Sequence, residues 1–391
     1  MDLFADRRGA VYFFRFFVLL ILSGIVIIIP RKNQKAVYIS RGDSRLSLLI
    51  RMIWLIPVAI IFLFTIYYPV GDWDGMSHWI MKSKVMYYYQ GLNFEYTHHN
   101  VYPILWPLNV AVQFVLAGGM FDVPAKWTSG ALFLVFFAQL VEGLRILNIT
   151  LRKALPVAVL LILVAFQDIF KVYYMKNFIN ANAENIFLAF LTATVVMLLL
   201  WFRDGKLRSL VLAGVMSVGL GLAKFEGWVA VICILISLFM VRNKIREKWP
   251  LLIFLLGILL PLLWAVWIQT HGFLHNFSHY TDAPTLRKLI FLLKTEFLVS
   301  VRHNMTILFY ASIVYMLLFG KKGPLIDSEK FLIVLSGLLI GFDCFVNISL
   351  TPEQISRGIP EAFPRLFLHA MPSYFLFWSS RCLIDSRGQN G

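Results

Sequence analysis

The sequence predicts an all-α, polytopic transmembrane protein of about eleven spans, and three observations carry that expectation. The first is composition: 59% of the 391 residues are hydrophobic and 15% charged, with a mean hydropathy of +0.75. A soluble domain carries about 25% charge, and no water-soluble fold could cover this much apolar surface. The second is that apolar runs near the ~20 residues needed to cross a bilayer core recur along the chain, separated by short charged connectors. The third is that these runs are continuous rather than alternating, which argues against a β-barrel.

The net charge of +15 would suggest nucleic acid in a soluble protein. Here the Lys and Arg residues cluster between the apolar runs, so topology and contact with membrane lipids account for them, and no nucleic acid is expected. Cys233, Cys344 and Cys382 lie in or beside apolar stretches without metal-ligand spacing, and read as core residues.

Taken in order, spans are expected near 16–30, 46–68, 125–145, 154–170, 184–202, 209–224, 227–241, 250–268, 304–320, 331–350 and 366–383. The first could pass for a signal peptide, but no small-residue cleavage site follows, and Arg31, Lys32 and Lys35 favour an uncleaved span. The connectors at 31–45, 145–153, 203–208, 242–248 and 320–330 are all net basic, which assigns them to the cytoplasm. The opposite face then receives 69–124, 171–183, the turn at 224–227, 269–303 and 351–365. Residues 1–45 form an N-terminal span with its basic connector, and 46–391 a single membrane domain that includes the outer loop 69–124.

The apolar stretch 103–120 resists this scheme, because a span there would put the basic connector 145–153 outside. Parity therefore predicts a re-entrant or interfacial helix, and Pro103, Pro107, Gly118 and Gly119 suit a short helix with abrupt ends. The competing reading is an ordinary span with one misassigned neighbour.

Four segments carry the chemistry. In the first outer loop, Asp72 and Asp74 follow directly on an apolar run, where partial desolvation raises a carboxylate's proton affinity and suits it to general-base work. Met76, Trp79, Ile80, Val85 and Met86 then form an apolar face opposite Lys82 and Lys84, anchored by Trp79 and Tyr87 to Tyr89. The plainer alternative is an aromatic belt with two solvated aspartates. The second segment places Glu184 at the start of a span, where an acid is a functional-site hypothesis by default; the alternative is a water-exposed acid favoured by the helix N-terminus. The third, GLAKFEGW, sets Lys224 and Glu226 between two apolar runs, either lining a cavity or capping a hairpin. In the fourth, Arg357 and Arg365 lead into the last span with His369 one turn later; arginine suits phosphate binding, although it also serves as a snorkelling anchor. The connector 269–303 spaces His271, His275 and His279 like a metal stripe, but no HExxH motif or carboxylate triad accompanies them and a basic surface facing anionic lipid is favoured.

These segments, in this order, resemble the GT-C superfamily of polytopic glycosyltransferases. The likeness rests on WDGMSHWIMKSK, YPILWPL, Glu184, the KFEG turn and RLFLHAMP. The resemblance implies a polyprenyl-phosphate-linked sugar donor, a glycan, lipid or protein acceptor, and an inverting transfer on the outer face of the membrane. It implies Asp74 as base with Asp72 as substitute, and Glu184 as a second acid. Lys224, Arg365 and Arg357 would bind the donor phosphate, and Glu226, His369, Trp79 and His78 would support. No cofactor is called for outright, and a divalent metal is left open. The short chain without a soluble domain fits a bacterial inner membrane with a periplasmic site. Two rival classes stay in view: an O-antigen ligase or polymerase relying on 269–303, and a lipid-linked-glycan transporter or flippase.

Overall fold

A computed structural model describes residues 74–94, 97, 100, 102–149, 183–241, 249–273, 304–348 and 369–383, with positions 59, 288 and 290. The spans expected at 16–30 and 154–170, and all but residue 59 of the span at 46–68, lie outside the described residues, as do Asp72, Arg357, Arg365, His275 and His279. Every regular element among the described residues is helical.

Where the first loop was expected to hold an amphipathic helix, a π-helical segment, Asp74–Ile80, runs directly into helix α1, Met81–Tyr89. Gln90, in the left-handed region at φ 52°, ends it. Helix α2, Leu105–Ala117, covers the stretch that parity singled out. At 1.5 Å per residue its thirteen residues rise about 20 Å, short of a ~30 Å hydrocarbon core. Pro107 sits in its first turn, where the missing N–H has no helical partner to lose. Gly118, at φ 67°, closes it. One side of α2 buries Trp106, Val110 and Phe114, while Leu108, Val112, Val115 and Leu116 are exposed.

The long helices follow: α3 Asp122–Ile146, α4 Glu184–Asp204, α5 Leu207–Ala223, α6 Phe225–Phe239, α7 Leu251–Thr270, α8 Asn304–Phe319, α9 Asp327–Ile348, and α10 over 369–382. Three of these, α3 from Lys126, α4 and α7, are long and apolar enough to cross a membrane. Helix α4 is the hub, with 78% of its apolar window buried against 22% for α7, which presents Leu252, Leu259, Leu263 and Val266 outward from the rim.

Contacts set the helix directions. Ser129 meets Asn185 and Gly143 faces Val196, so α3 and α4 run the same way. Gly205 at φ 63° reverses the chain into α5, bringing Gly219 against Phe190. Lys224 alone is extended (φ −156°, ψ 159°), and the chain reverses again, because Gly257 of α7 lies against both Ser217 of α5 and Val231 of α6. On the far side, α9 and α10 are antiparallel: Glu329 pairs with Arg381, Ser336 with Ser373 and Asp343 with His369. Phe187 on His369 and Phe202 on Phe331 align this pair with α4.

Small residues allow the closest approaches. A Cβ on Gly221 would collide with the Gly257 carbonyl, and one on Gly257 would lie 2.6 Å from the Ser217 carbonyl oxygen. The α5 and α7 backbones therefore touch, as in membrane helix pairs built on glycine, alanine and serine.

Candidate functional site

These directions bring the start of α4, the α5–α6 turn, the last third of α9 and the start of described α10 to one end of the bundle. Glu184, the first residue of α4, is fully buried, so the water-exposed alternative for it does not hold. Its carboxylate accepts from Lys224 Nζ at 3.0 Å, and the same ammonium lies 3.2 Å from Glu226 Oε1. Lys224 can reach both because its extended backbone breaks the helix between α5 and α6. Glu226, given a supporting role by the resemblance, thus contacts Lys224, and Glu184 is a second and more deeply buried partner.

That geometry changes what Lys224 can do. Two acidic side chains already face the Lys224 ammonium, so a phosphate reaching it would have to come in beside Glu184 and Glu226.

The second buried pair joins His369 to Asp343, Nδ1 to Oδ1 at 3.5 Å. Both residues are buried, and the imidazole packs on Phe187 of α4 at 4.4 Å between ring centroids. Asp343 is close enough to Lys224 and Glu226 for their charges to act on it, so the two pairs form one electrostatic unit. Sequence reasoning overlooked Asp343. The signal was present, because it is the only acid in the apolar run 331–350, and a carboxylate inside a span is suspect on the same ground as Glu184.

The first loop packs beside this unit. Trp79 and Tyr102 lie at 5.5 Å between centroids, and Tyr102 meets Phe225, next to Lys224, edge-on at 6.4 Å. Trp264 of α7 donates its indole N–H to the carbonyls of Asn100 and Tyr102, and Asn100 donates to Phe273, so loop and rim helix meet at this same end. Asp74 opens the π-helical segment, an irregularity frequent at functional sites. His78 is buried, with Ser77 Oγ 3.3 Å from its Nδ1.

Lys82 corrects the amphipathic reading. Rather than facing away from the apolar side it is 1% exposed, with Nζ 5.8 Å from the Trp79 ring and 5.7 Å from that of Tyr102. Two aromatic faces can receive an ammonium that a simple helical wheel assigns to water. Burial lowers its pKa from 10.5 to about 7. Lys84, by contrast, remains partly exposed and pairs with Asp122 at 2.8 Å, tying α1 to the start of α3. Met76 is also exposed, outside the apolar face expected for it.

His271 closes α7 by pairing its Nδ1 with the Trp267 carbonyl at 2.9 Å. Among the described residues no group of three or more His, Cys, Asp or Glu is placed to hold a metal ion. Compared with protein families, curated proteins and solved structures, the chain matches none.

Proposed function

We propose that this protein is a membrane glycosyltransferase, moving a sugar from a polyprenyl-phosphate carrier to an acceptor hydroxyl with inversion at C1. The observation that supports this reading most is the gathering of Glu184, Lys224, Glu226, Asp343 and His369 into one buried unit, beside the loop that carries Asp74. The resemblance of the same segments to GT-C glycosyltransferases supplies the reaction class. The basic connectors, counted by the positive-inside rule, favour the outer face for this site, and the reading takes that face to be the periplasmic side of a bacterial inner membrane.

In this reading Asp74, or Asp72 in its place, takes the proton of the acceptor hydroxyl as its oxygen attacks C1. The bond from C1 to the phosphate oxygen breaks, and the electron pair leaves with the lipid phosphate. Arg365 and Arg357 stabilise that departing charge through paired donors. Lys224 would join them in meeting the phosphate, steadied by the Glu184 and Glu226 side chains that face it. The exposed apolar side of α2 offers a surface for the polyprenyl tail.

Transfer assays with a polyprenyl-phosphate sugar test the assignment. Asp74→Asn in a folded protein is expected to lower turnover by roughly 10²- to 10⁴-fold, and an unchanged rate would remove Asp74 as base. Arg365→Ala should raise the KM for donor more than it lowers kcat.

A transporter of lipid-linked glycans is the second reading, favoured by the burial of the Lys224 and His369 pairs on helices, where proton relays are built. Movement of lipid across vesicles without formation of a glycosidic bond, abolished by Glu184→Gln and indifferent to Asp74→Asn, would select it.

A further inference from the structure

We propose that His369, held by Asp343, is a specificity-determining residue that receives a hydroxyl of the transferred sugar, so that this pair binds the neutral sugar and not the phosphate. This rests on the transferase reading above and deepens it.

The inference starts from the imidazole itself. His369 is 2% exposed, its Nδ1 is turned to Asp343, and its Nε2 has no hydrogen-bond partner. A buried ring nitrogen without a partner costs free energy unless a ligand supplies one. With its proton on Nδ1, toward Asp343, the ring would present a lone pair at Nε2 to a hydrogen-bond donor, and a hydroxyl can partner Nε2 in either tautomer. The second Glu226 oxygen, Oε2, is likewise buried and without a partner, and it too can only accept when ionised.

The charges around the imidazole point to the class of donor. Asp343 faces it from α9 and Phe187 from α4; Glu226 and Lys224 act on Asp343 from α6 and the turn before it, and Glu184 of α4 engages Lys224. The one lysine here already faces two acidic side chains, and Asp343 adds a third acid beside the imidazole, an arrangement poorly suited to an anion there. It favours a neutral group carrying several hydroxyls, each of which can donate to Nε2 or to a carboxylate oxygen. A sugar ring meets that description, and Phe187 adds an aromatic face close to the imidazole.

The test measures binding of two lipids to the full-length protein in nanodiscs: polyprenyl phosphate alone, and the same lipid bearing glucose, mannose or arabinose. Wild-type protein is expected to hold at least one sugar-bearing lipid about tenfold more tightly than the bare phosphate. His369→Asn retains a partner for Asp343 but lacks the group at Nε2, and should lose that sugar increment while bare phosphate binds as before. His369→Gln restores a polar group at the Nε2 position and should regain most of it, which keeps the inference testable if the Asn variant does not fold. Equal loss of both lipids in His369→Asn would mark the residue as merely structural and overturn the inference. Equal wild-type affinity for both lipids would overturn the sugar subsite and leave the carrier reading standing. No binding of either would overturn both.

Discussion

Lys224 is held by two carboxylates from different helices, and the consequences of disturbing it can be stated in order. Removing one partner of a buried ion pair typically costs about 3–5 kcal/mol, because the remaining charge is left without compensation. Lys224→Met leaves Glu184 fully buried and uncompensated, and should lower the melting temperature in detergent severely. Adding Glu184→Gln to that variant should recover part of the loss, since the double change removes the stranded charge. A double variant no more stable than the single one would count against this account. Lys82 makes a pH prediction. Its pKa falls from 10.5 to about 7 on burial, so between those values the unfolded chain binds more protons than the folded protein. Stability from this residue therefore rises as pH increases from about 7 to 10.5. Lys82→Met should melt higher than wild type at pH 7, with the advantage shrinking toward pH 10, as differential scanning fluorimetry would show.

At the scale of helices, close packing is concentrated where α5 crosses α7. Gly221→Val must force apart two backbones already in contact, whereas Gly337→Ala on α9 adds a methyl group where nothing lies within 4 Å. The first should reduce the yield of folded protein and its melting temperature sharply. The second should be neutral or gain up to about 1 kcal/mol, as alanine replaces glycine inside a helix. At the opposite end of the bundle Arg381 pairs with Glu329 at 3.2 Å and donates to the Lys321 and Gly323 carbonyls. This clamp fixes α10 against α9, and so fixes the level at which His369 meets Asp343. Charge parity led the sequence reading to expect a short helix over 103–120, and α2 is short, Leu105–Ala117. Its length and its left-handed Gly118 agree with a helix that ends abruptly.

Across the molecule, α4 sets the frame: Glu184 lies at one end and Asp204 at the other, and its 21 residues rise about 31 Å. Leu92, in the loop beside the candidate site, and Lys206, beyond Asp204, are both exposed. If α4 crosses a membrane, cysteines placed at these two positions should react with an impermeant maleimide from opposite sides of sealed vesicles. Reaction of both from one side would refute a crossing by α4. The directions read from helix contacts make the same demand, because Ser129, Glu184, Lys224, Asp343 and His369 belong to one level and Asp204, Phe331 and Arg381 to the other.

The amino-acid sequence by itself determined the helical class and the approximate places of the described helices. Those depend on the length of apolar runs and on where charges interrupt them, which are local properties of the chain. It also drew attention to Glu184, Lys224, Glu226 and His369, because charge beside or inside an apolar run is locally visible. Tertiary structure alone decided their partners. Lys224 meets an acid forty positions away because two helix starts share a level, and His369 meets Asp343 because α9 and α10 are antiparallel. It likewise decided that Lys82 lies under two aromatic rings rather than in water, since Tyr102 arrives there from a separate segment. Pairing of this kind follows from which helix ends the packing brings together, and no local pattern encodes it.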